Sequence, residues 1–370
     1  MRIFHTGDLH LDSAFVRMSR DERIEARAHQ RDIFNKMIKY VSDNSFDMLL
    51  ISGDLFDGRN ITPETEECVI KGFSSLSCPV VISPGNHDPF ALTAPYFKEK
   101  LPDNVSVFNS SEVQVLVFEE LGVQVCGYAF ESSNIFDRNP LSDFTLPVFE
   151  GVSILCAHGE LNVVNSRFAP LSEAEIAEIG FAYAALGHVH TSQVVRRGDS
   201  VIAYCGVIEG RAFDELGECG ALEVTLDGGK VTEVKRVILG EKVYFWDTLD
   251  VGTADSSAEL IECIEKYIES RGYGKDTALR LILEGEVNAE LNIDRLAIKS
   301  LIERRLMYAE VVNKTRPRLD LARLESDFTL RGEIYRSLRS ELEGDDAERR
   351  RIAAETLRCA LSAVDGREIR

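Results

Sequence analysis

A chain of 370 residues, 44% hydrophobic and 28% charged, is globular, long enough for more than one domain, and neither disordered nor fibrous. Its formal net charge of −20 excludes a protein that holds nucleic acid through a broadly basic surface. No apolar run reaches the roughly 18–20 residues that cross a bilayer, and Met1-Arg2-Ile3-Phe4-His5 lacks the apolar stretch of a signal peptide. A cytoplasmic protein without membrane association is therefore expected. The eight cysteines are scattered without a CxxC pair, as reduced core thiols are, and not as a disulfide frame or zinc site.

Residues 1–7 read as a first strand, followed by Gly7-Asp8-Leu9-His10. Helical spacing of Ile24, Ile33, Phe34, Met37, Ile38 and Val41 predicts a helix from about Asp21 to Asp43. Met48-Leu49-Leu50-Ile51 is an apolar run of the kind buried on both faces of a sheet, and Asp54 stands just past its end at Gly53. Alone, such an aspartate is a turn residue or helix cap, but open α/β sheets place ligands at this edge. Pro63-Glu64 opens a second helix, and Val80–Ser83 is a third strand with Pro84-Gly85-Asn86-His87-Asp88 as its turn. This alternation predicts a largely parallel sheet.

Short strands follow at Val105–Phe108, Val113–Phe118 and Val123–Tyr128, with a hairpin turn at Glu119–Gly122. Ile154–Ala157 leads into His158. A helix near Ser172–Ile179 precedes Tyr183–Leu186, which ends in Gly187-His188-Val189-His190. Further hairpins turn at Arg197-Gly198-Asp199 and Asp227-Gly228-Gly229. The expected class is α/β, with two sheets face to face and helices outside (an αββα sandwich) over residues 1–240. A small α+β domain is expected over 241–319, as strand 243–249, helix 258–270, strand 278–284 and helix 294–305. A charged helical tail then covers 320–370.

The polar residues at the strand ends form one set: Asp8, His10, Asp54, Asn86, His87, His158, His188 and His190. Five of the seven histidines fall in it, which packing alone does not explain. Carboxylates and imidazoles with one amide oxygen suit two borderline cations such as Mn²⁺, Fe²⁺ or Zn²⁺, and the lack of thiolates argues against a closed structural zinc site. Two such cations grip both oxygens of an in-line phosphoryl displacement when one carboxylate bridges them. Asp54 is the candidate bridge.

Asp8-x-His10, Gly53-Asp54-x-x-Asp57, Gly85-Asn86-His87-Asp88, His158 after an apolar strand, and Gly187-His188-x-His190 resemble, in order and spacing, the calcineurin-like metallophosphoesterases over about residues 1–210. Within them, His5 before Gly7-Asp8-Leu9-His10-Leu11-Asp12-Ser13, the run Ser52-Gly53-Asp54-Leu55-Phe56-Asp57, and a small domain after 243 are similar to the SbcD-type DNA repair nucleases and their short YhaO-like members. The resemblance implies Asp8, His10 and His190 on one metal, Asn86, His158 and His188 on the other, and Asp54 on both, with Mn²⁺ the first candidate. It implies an unligated His87 near the phosphate, stabilising charge or protonating the leaving oxygen. Asp57 and Asp88 would brace ligands rather than bind metal.

The implied activity is cleavage of DNA phosphodiesters in DNA repair, as part of an exonuclease or endonuclease, with 3′→5′ polarity the first expectation. The implied partners are DNA and, through the C-terminal helices, an SMC-like coiled-coil ATPase of the SbcC type; a homodimer is compatible. Arg295–Arg318 carries seven Lys/Arg against two Glu. Within it Arg304, Arg305, Lys314 and Arg316 are the candidate DNA contacts, the plainer reading being a solvated helix face. Two apolar stripes in the tail, Ile334, Leu338 and Leu342 beside Tyr335, and Ile352, Thr356, Leu357, Ala360, Leu361 and Val364, are expected to dock on that partner or on the chain's own small domain. A phosphoesterase for small nucleotides or phosphoproteins, and a scaffold with a decayed site, are the competing readings.

Overall fold

Period-two alternation builds the first layer. In β1 (Arg2–Thr6), β2 (Met48–Ile51), β3 (Val80–Ile82) and β4 (Val105–Val107), neighbouring strands pair in parallel, and successive residues point to opposite faces. Phe4, Leu49 and Ile51 pack on one side with Ile33, Phe34 and Met37 of α1 (Arg20–Asp43) and Val69 and Phe73 of α2 (Pro63–Ser74). Both helices start on sequence signals. Ser19 and Glu22 form a reciprocal capping box, and Thr62 caps α2 ahead of Pro63 at the first turn. The computed structural model describes residues 1–364 except 17, 59–60, 92–95, 97–100, 133–137, 164 and 289–290.

The second layer holds β5 (Gln114–Phe118), β6 (Val123–Gly127), β7 (Val152–His158), β10 (Tyr183–Gly187), β11 (Gln193–Arg197) and β12 (Ser200–Tyr204), in the order β11-β12-β10-β7-β6-β5. The short pair β8 (Glu160–Leu161) and β9 (Pro170–Leu171) and helix α3 (Glu173–Ile179) lie between β7 and β10 in sequence. The inner strands are parallel and the two edges antiparallel. The expected turn at 119–122 is a single 3-10 turn closed by Gly122 at φ 63°. Finally β13 (Gly220–Asp227) and β14 (Lys230–Ile238) return antiparallel to complete the first sheet, order β14-β13-β1-β2-β3-β4.

Ile3, Met48, Leu50 and Val81 from one sheet meet Val125, Ile154, Cys156, Tyr183 and Val201 from the other in a continuous inter-sheet core. The outer face of the second sheet carries Leu155, Ala184 and Ile202 with Ile176 of α3. The chain is the αββα sandwich expected. This unit spans Met1–Trp246, Gly274–Arg280 and Arg305–Tyr308.

The second unit comprises Asp247–Tyr273, Leu281–Arg304 and Ala309–Arg370. In this C-terminal part of the chain β15 (Val243–Asp250), β16 (Thr277–Glu284), β17 (Glu286–Val287), β18 (Tyr308–Asn313) and β19 (Arg316–Pro317) alternate with α4 (Ser257–Arg271) and α5 (Arg295–Ile302). Helix α5 begins where Asp294 accepts the Leu296 and Ala297 N–H groups and ends three residues short of the expected 305. The helical tail is α6 (Leu321–Glu325), α7 (Leu330–Leu342) and α8 (Ala347–Val364); residues 365–370 lie outside the described residues. Among the described residues, no helix is long and apolar enough to cross a membrane.

The tail corrects one detail. Its two stripes do not both await a partner: Tyr335 buries with Leu324, Leu357 and Leu361, flanked by Ile334, Leu338 and Leu342. Two amphipathic helices joined by a short turn satisfy each other first, because the nearest apolar surface is their own. Phe328 (97% exposed), Leu330 and Ile352 stay outside that cluster.

Candidate metal centre

Parallel pairing brings the strand ends to one edge of each sheet. Asp8 and His10 follow β1, Asp54 follows β2, and Asn86, His87 and Asp88 follow β3. In the second sheet Gly187 is in register with His158, the last residue of β7. That pairing sets His188 beside His158. The loops after β1 and β2 are zipped together: Asp8, His10 and Leu11 N–H donate to Gly53, Asp54 and Leu55 carbonyls, each at 2.9 Å. The geometry is strained. Asp8, His10, Asp54 and His188 all have positive φ, at 49°, 46°, 49° and 97°, a cost of about 1–3 kcal/mol each for side-chain-bearing residues. Two glycines leave room for the cluster, since a Cβ on Gly85 would lie 2.2 Å from Asp54 Oδ1 and one on Gly53 2.2 Å from His158 Nδ1.

Among the described residues, three overlapping groups have the chemistry to hold a metal ion: Asp8, His10 and His190; His10, Asp54 and His87; and Asp8, Asp54 and His158. His10 Nε2 lies 3.3 Å from His190 Nε2, and Asp8 Oδ1 is 4.0 Å from the same His190 atom. On the other side, Asn86 Oδ1 is 2.9 Å from His158 Nε2 and 3.2 Å from His188 Nδ1. Asp54 faces both halves. Its Oδ2 is 3.8 Å from His10 Nε2 and 3.4 Å from His158 Nε2, while its Oδ1 accepts the His87 N–H at 2.9 Å.

Protonation decides whether these contacts are hydrogen bonds. Burial pushes His158 down to about 3 and His10 and His188 down to about 4, so all three rings are neutral near pH 7. The one proton of His158 sits on Nδ1, which donates to the Ser52 carbonyl at 3.0 Å. His188 turns Nε2 to Glu160 Oε1 at 3.4 Å. The lone pairs of His158 Nε2 and His188 Nδ1 therefore face each other at 3.3 Å and share the Asn86 oxygen, and His158 Nε2 also faces Asp54 Oδ2, with no proton between them. Buried acceptors packed this closely need a cation, and the donor set fits a divalent metal.

Asp8 is pushed well up by burial and then by the charge of Asp54, a repulsion that a bound cation reverses. Asp88 is buried and pushed up to about 6, by burial and then Asp54. It accepts from Gly85 N–H, Phe56 N–H and Tyr96 O–H at 2.8, 3.1 and 2.6 Å, and so fixes the loop that carries Asn86. Burial opposes ionisation of Asp57, but its contacts with His10 and His87 outweigh this and hold the carboxyl far below its usual range. His87, half exposed, places Nδ1 2.7 Å from Asp57 Oδ1, and that bond raises its pKa. His5 stands apart, between the sheets, on Tyr183 O–H and Ser52 Oγ.

Sequence reasoning missed Arg211, Glu215, Glu160 and Phe168, whose ring lies 4.7 Å from that of His188. Arg211, Glu215 and Phe168 lie outside the named strands and helices and Glu160 opens the two-residue strand β8; none has motif spacing, and only the fold brings them to the histidines. Of the basic candidates, Arg304, Arg305, Lys314 and Arg316 are all exposed. Arg316 pairs with Glu355, whereas the side chains of Arg304 and Lys314 have no partner among the described residues.

Residues 1–192 match the family model "Calcineurin-like phosphoesterase". The chain is 26% identical over 300 residues to the Uncharacterized metallophosphoesterase YhaO of Bacillus subtilis (strain 168), covering 77% of this chain and 72% of that one. It is 25% identical over 367 residues to the SbcD component of the SbcCD nuclease from the same organism, covering 87% and 89%. To the DNA double-strand break repair protein Mre11 of Aeropyrum pernix it is 22% identical over 278 residues, covering 69% and 65%. A model matching more than half of the chain, over the residues that build the strand-end constellation, means that this protein belongs to the calcineurin-like phosphoesterase family.

Proposed function

We propose that this chain is a two-metal phosphodiesterase acting on DNA, the nuclease component of a DNA repair machine. The observation that carries the reading is the set of proton-free lone pairs on Asn86 Oδ1, His158 Nε2 and His188 Nδ1, turned toward one another, with Asp54 Oδ2 3.4 Å from His158 Nε2. One cation would be held by Asp8, His10 and His190, the other by Asn86, His158 and His188, with Asp54 shared. Mn²⁺ is the first candidate, since this hard and borderline donor set lacks thiolate. When bound, such a pair lowers the pKa of water and neutralises charge on the phosphoryl oxygens.

The remaining work falls to side chains. Asp54 Oδ1 holds the His87 backbone and leaves Oδ2 for the cations. Asp57 keeps a proton on His87 Nδ1, so the ring can give its Nε2 proton to the leaving oxygen. DNA as substrate is supported by likeness to the SbcCD nuclease component over 87% of this chain, well past the catalytic sandwich. The test is a screen of the pure chain with Mn²⁺ on labelled DNA, cyclic dinucleotides and p-nitrophenyl esters. Turnover of the small nucleotides with DNA untouched would move the protein to a small-molecule phosphoesterase.

Arg304, Arg305, Lys314 and Arg316 are proposed to touch the DNA backbone. Replacing them with Gln flattens the salt dependence of DNA binding, by about 0.7–0.9 in slope for each phosphate no longer neutralised. Arg316 contributes less than Arg304 or Lys314 because Glu355 already holds it. Hydrolysis of a small ester is unchanged. An unaltered slope returns the stretch to a solvated face.

The tail is proposed to dock on an SMC-like ATPase through Phe328, Leu330 and Ile352, the most exposed of the large apolar residues that its own cluster leaves uncovered among the described residues. Deleting everything after Leu319 removes the buried residues of that cluster and uncovers Leu319, which packs on it, and it removes the Arg316–Glu355 and Arg358–Glu286 pairs. The truncated chain keeps Mn²⁺-dependent cleavage of short substrates, with an unfolding midpoint within about 5 °C, and no longer co-purifies with a coiled-coil ATPase. A collapse of the midpoint with ATPase binding intact shows instead that the tail is structural.

A further inference from the structure

Glu215 is a buried carboxylate with two tasks. Its Oε1 lies 2.9 Å from His190 Nδ1, and both its oxygens are held by Arg211. The Arg211 backbone N–H donates to Oε2 at 2.7 Å, Nη2 to Oε1 at 2.5 Å, and Nε to both at 3.2 and 3.3 Å. Arg211 Nη1 reaches Ser13 Oγ at 3.3 Å, and Ser13 in turn donates to the His10 carbonyl at 2.8 Å. One connected network thus joins His190 by its ring to His10 by its backbone. Glu215 is 2% exposed and Arg211 19% by side chain. A buried acid seldom survives without a paired cation, and here the pair faces a histidine whose other nitrogen looks toward Asp8 and His10. The histidine on the opposite side is held more loosely, by the half-buried Glu160 at 3.4 Å.

We propose that Glu215, seated by Arg211, is a positioning residue that fixes the tautomer and ring of His190, and gives the cation position of Asp8, His10 and His190 much of its affinity. This rests on the two-metal reading above. A carboxylate on Nδ1 keeps the proton there, leaves Nε2 as the donor, and makes the imidazole more basic toward a cation. Removing such a partner typically weakens metal affinity by about 10–100-fold. Among the described residues, nothing in the Glu215 network reaches Asn86, His158 or His188, so their position is unaffected.

The experiment is a Mn²⁺ titration of the full chain followed by calorimetry and electron paramagnetic resonance, with the unfolding midpoint of the metal-free protein measured alongside. The unmodified protein takes two Mn²⁺ and gives the spectrum of an exchange-coupled pair. Glu215→Ala loses about 10–100-fold in affinity at one position only and, at two equivalents, shows the six-line signal of isolated Mn²⁺. Glu215→Gln keeps an acceptor for the Nδ1 proton and falls between the two. Arg211→Gln weakens the same position, and serves if the Glu215 variants fold poorly. Coupled pairs of unchanged affinity in Glu215→Gln and Arg211→Gln overturn the proposal even if the midpoint drops, because that pattern is a purely structural role. If the unmodified protein itself fails to take two Mn²⁺, the two-metal reading falls, and this proposal with it.

Discussion

Asp54→Asn leaves a folded protein that neither retains two metals nor turns over. The carboxylate faces both halves of the centre, at 3.8 Å from His10 Nε2 and 3.4 Å from His158 Nε2. Asparagine keeps an oxygen for the His87 N–H that Asp54 Oδ1 now accepts, so the loop after β3 stays in place. The charge shared between the cations is gone, and with it the bridge that two-metal displacement needs. We expect kcat to fall at least about 10⁴-fold, in line with the loss of a whole metal-activated nucleophile. Metal content drops below two per chain. The metal-free variant should be no less stable than the parent, because the charge of Asp54 pushes the buried Asp8 carboxyl up and its removal relieves that repulsion. Two metals and undiminished turnover in Asp54→Asn would remove Asp54 from the role of bridge.

His87→Ser separates chemistry from metal retention. His87 is the most exposed of the strand-end histidines, with its side chain 46% accessible. It is tied through Nδ1 to Asp57 and through its N–H to Asp54, which leaves Nε2 for a substrate. Asp57 raises its pKa, which favours the doubly protonated ring that has an Nε2 proton to give a leaving oxygen. Loss of a general acid costs about 10²–10⁴ in kcat. The variant therefore keeps two metals while kcat falls by that factor. A fall in metal content to one makes His87 a ligand, which its grouping with His10 and Asp54 leaves open to test.

The two expectations differ in how far the sequence alone supports them. The run Met48–Ile51 is legible because a short apolar run closed by Gly53 suits a strand covered on both sides, and each of the four is fully buried. The edge of that strand is legible for the same reason, and it singles out Asp54. The histidines stand out by number and by position after apolar runs. What orients them does not. Ser52 holds His158 through a backbone carbonyl, and a carbonyl carries no residue identity. Glu215 meets His190 from a loop, and Glu160 meets His188 from the two-residue strand β8; the main strand pattern dictates neither. His5 falls inside the first strand in sequence, and β1 carries it onto Tyr183 and Ser52 instead of to the metal centre. The tail stripes show the same limit: periodicity gives an apolar face, and the fold decides whether the next helix or another molecule covers it.

The most direct measurement of the central claim is cleavage of end-labelled DNA by the metal-stripped chain as Mn²⁺ is added back, with bound metal counted on the same samples. The account predicts no cleavage without metal and activity that rises as the second equivalent binds. Chelator abolishes that activity and Asp54→Asn lacks it at every Mn²⁺ concentration. Cleavage that persists in excess chelator, or that reaches its maximum with a single ion per chain, would contradict it.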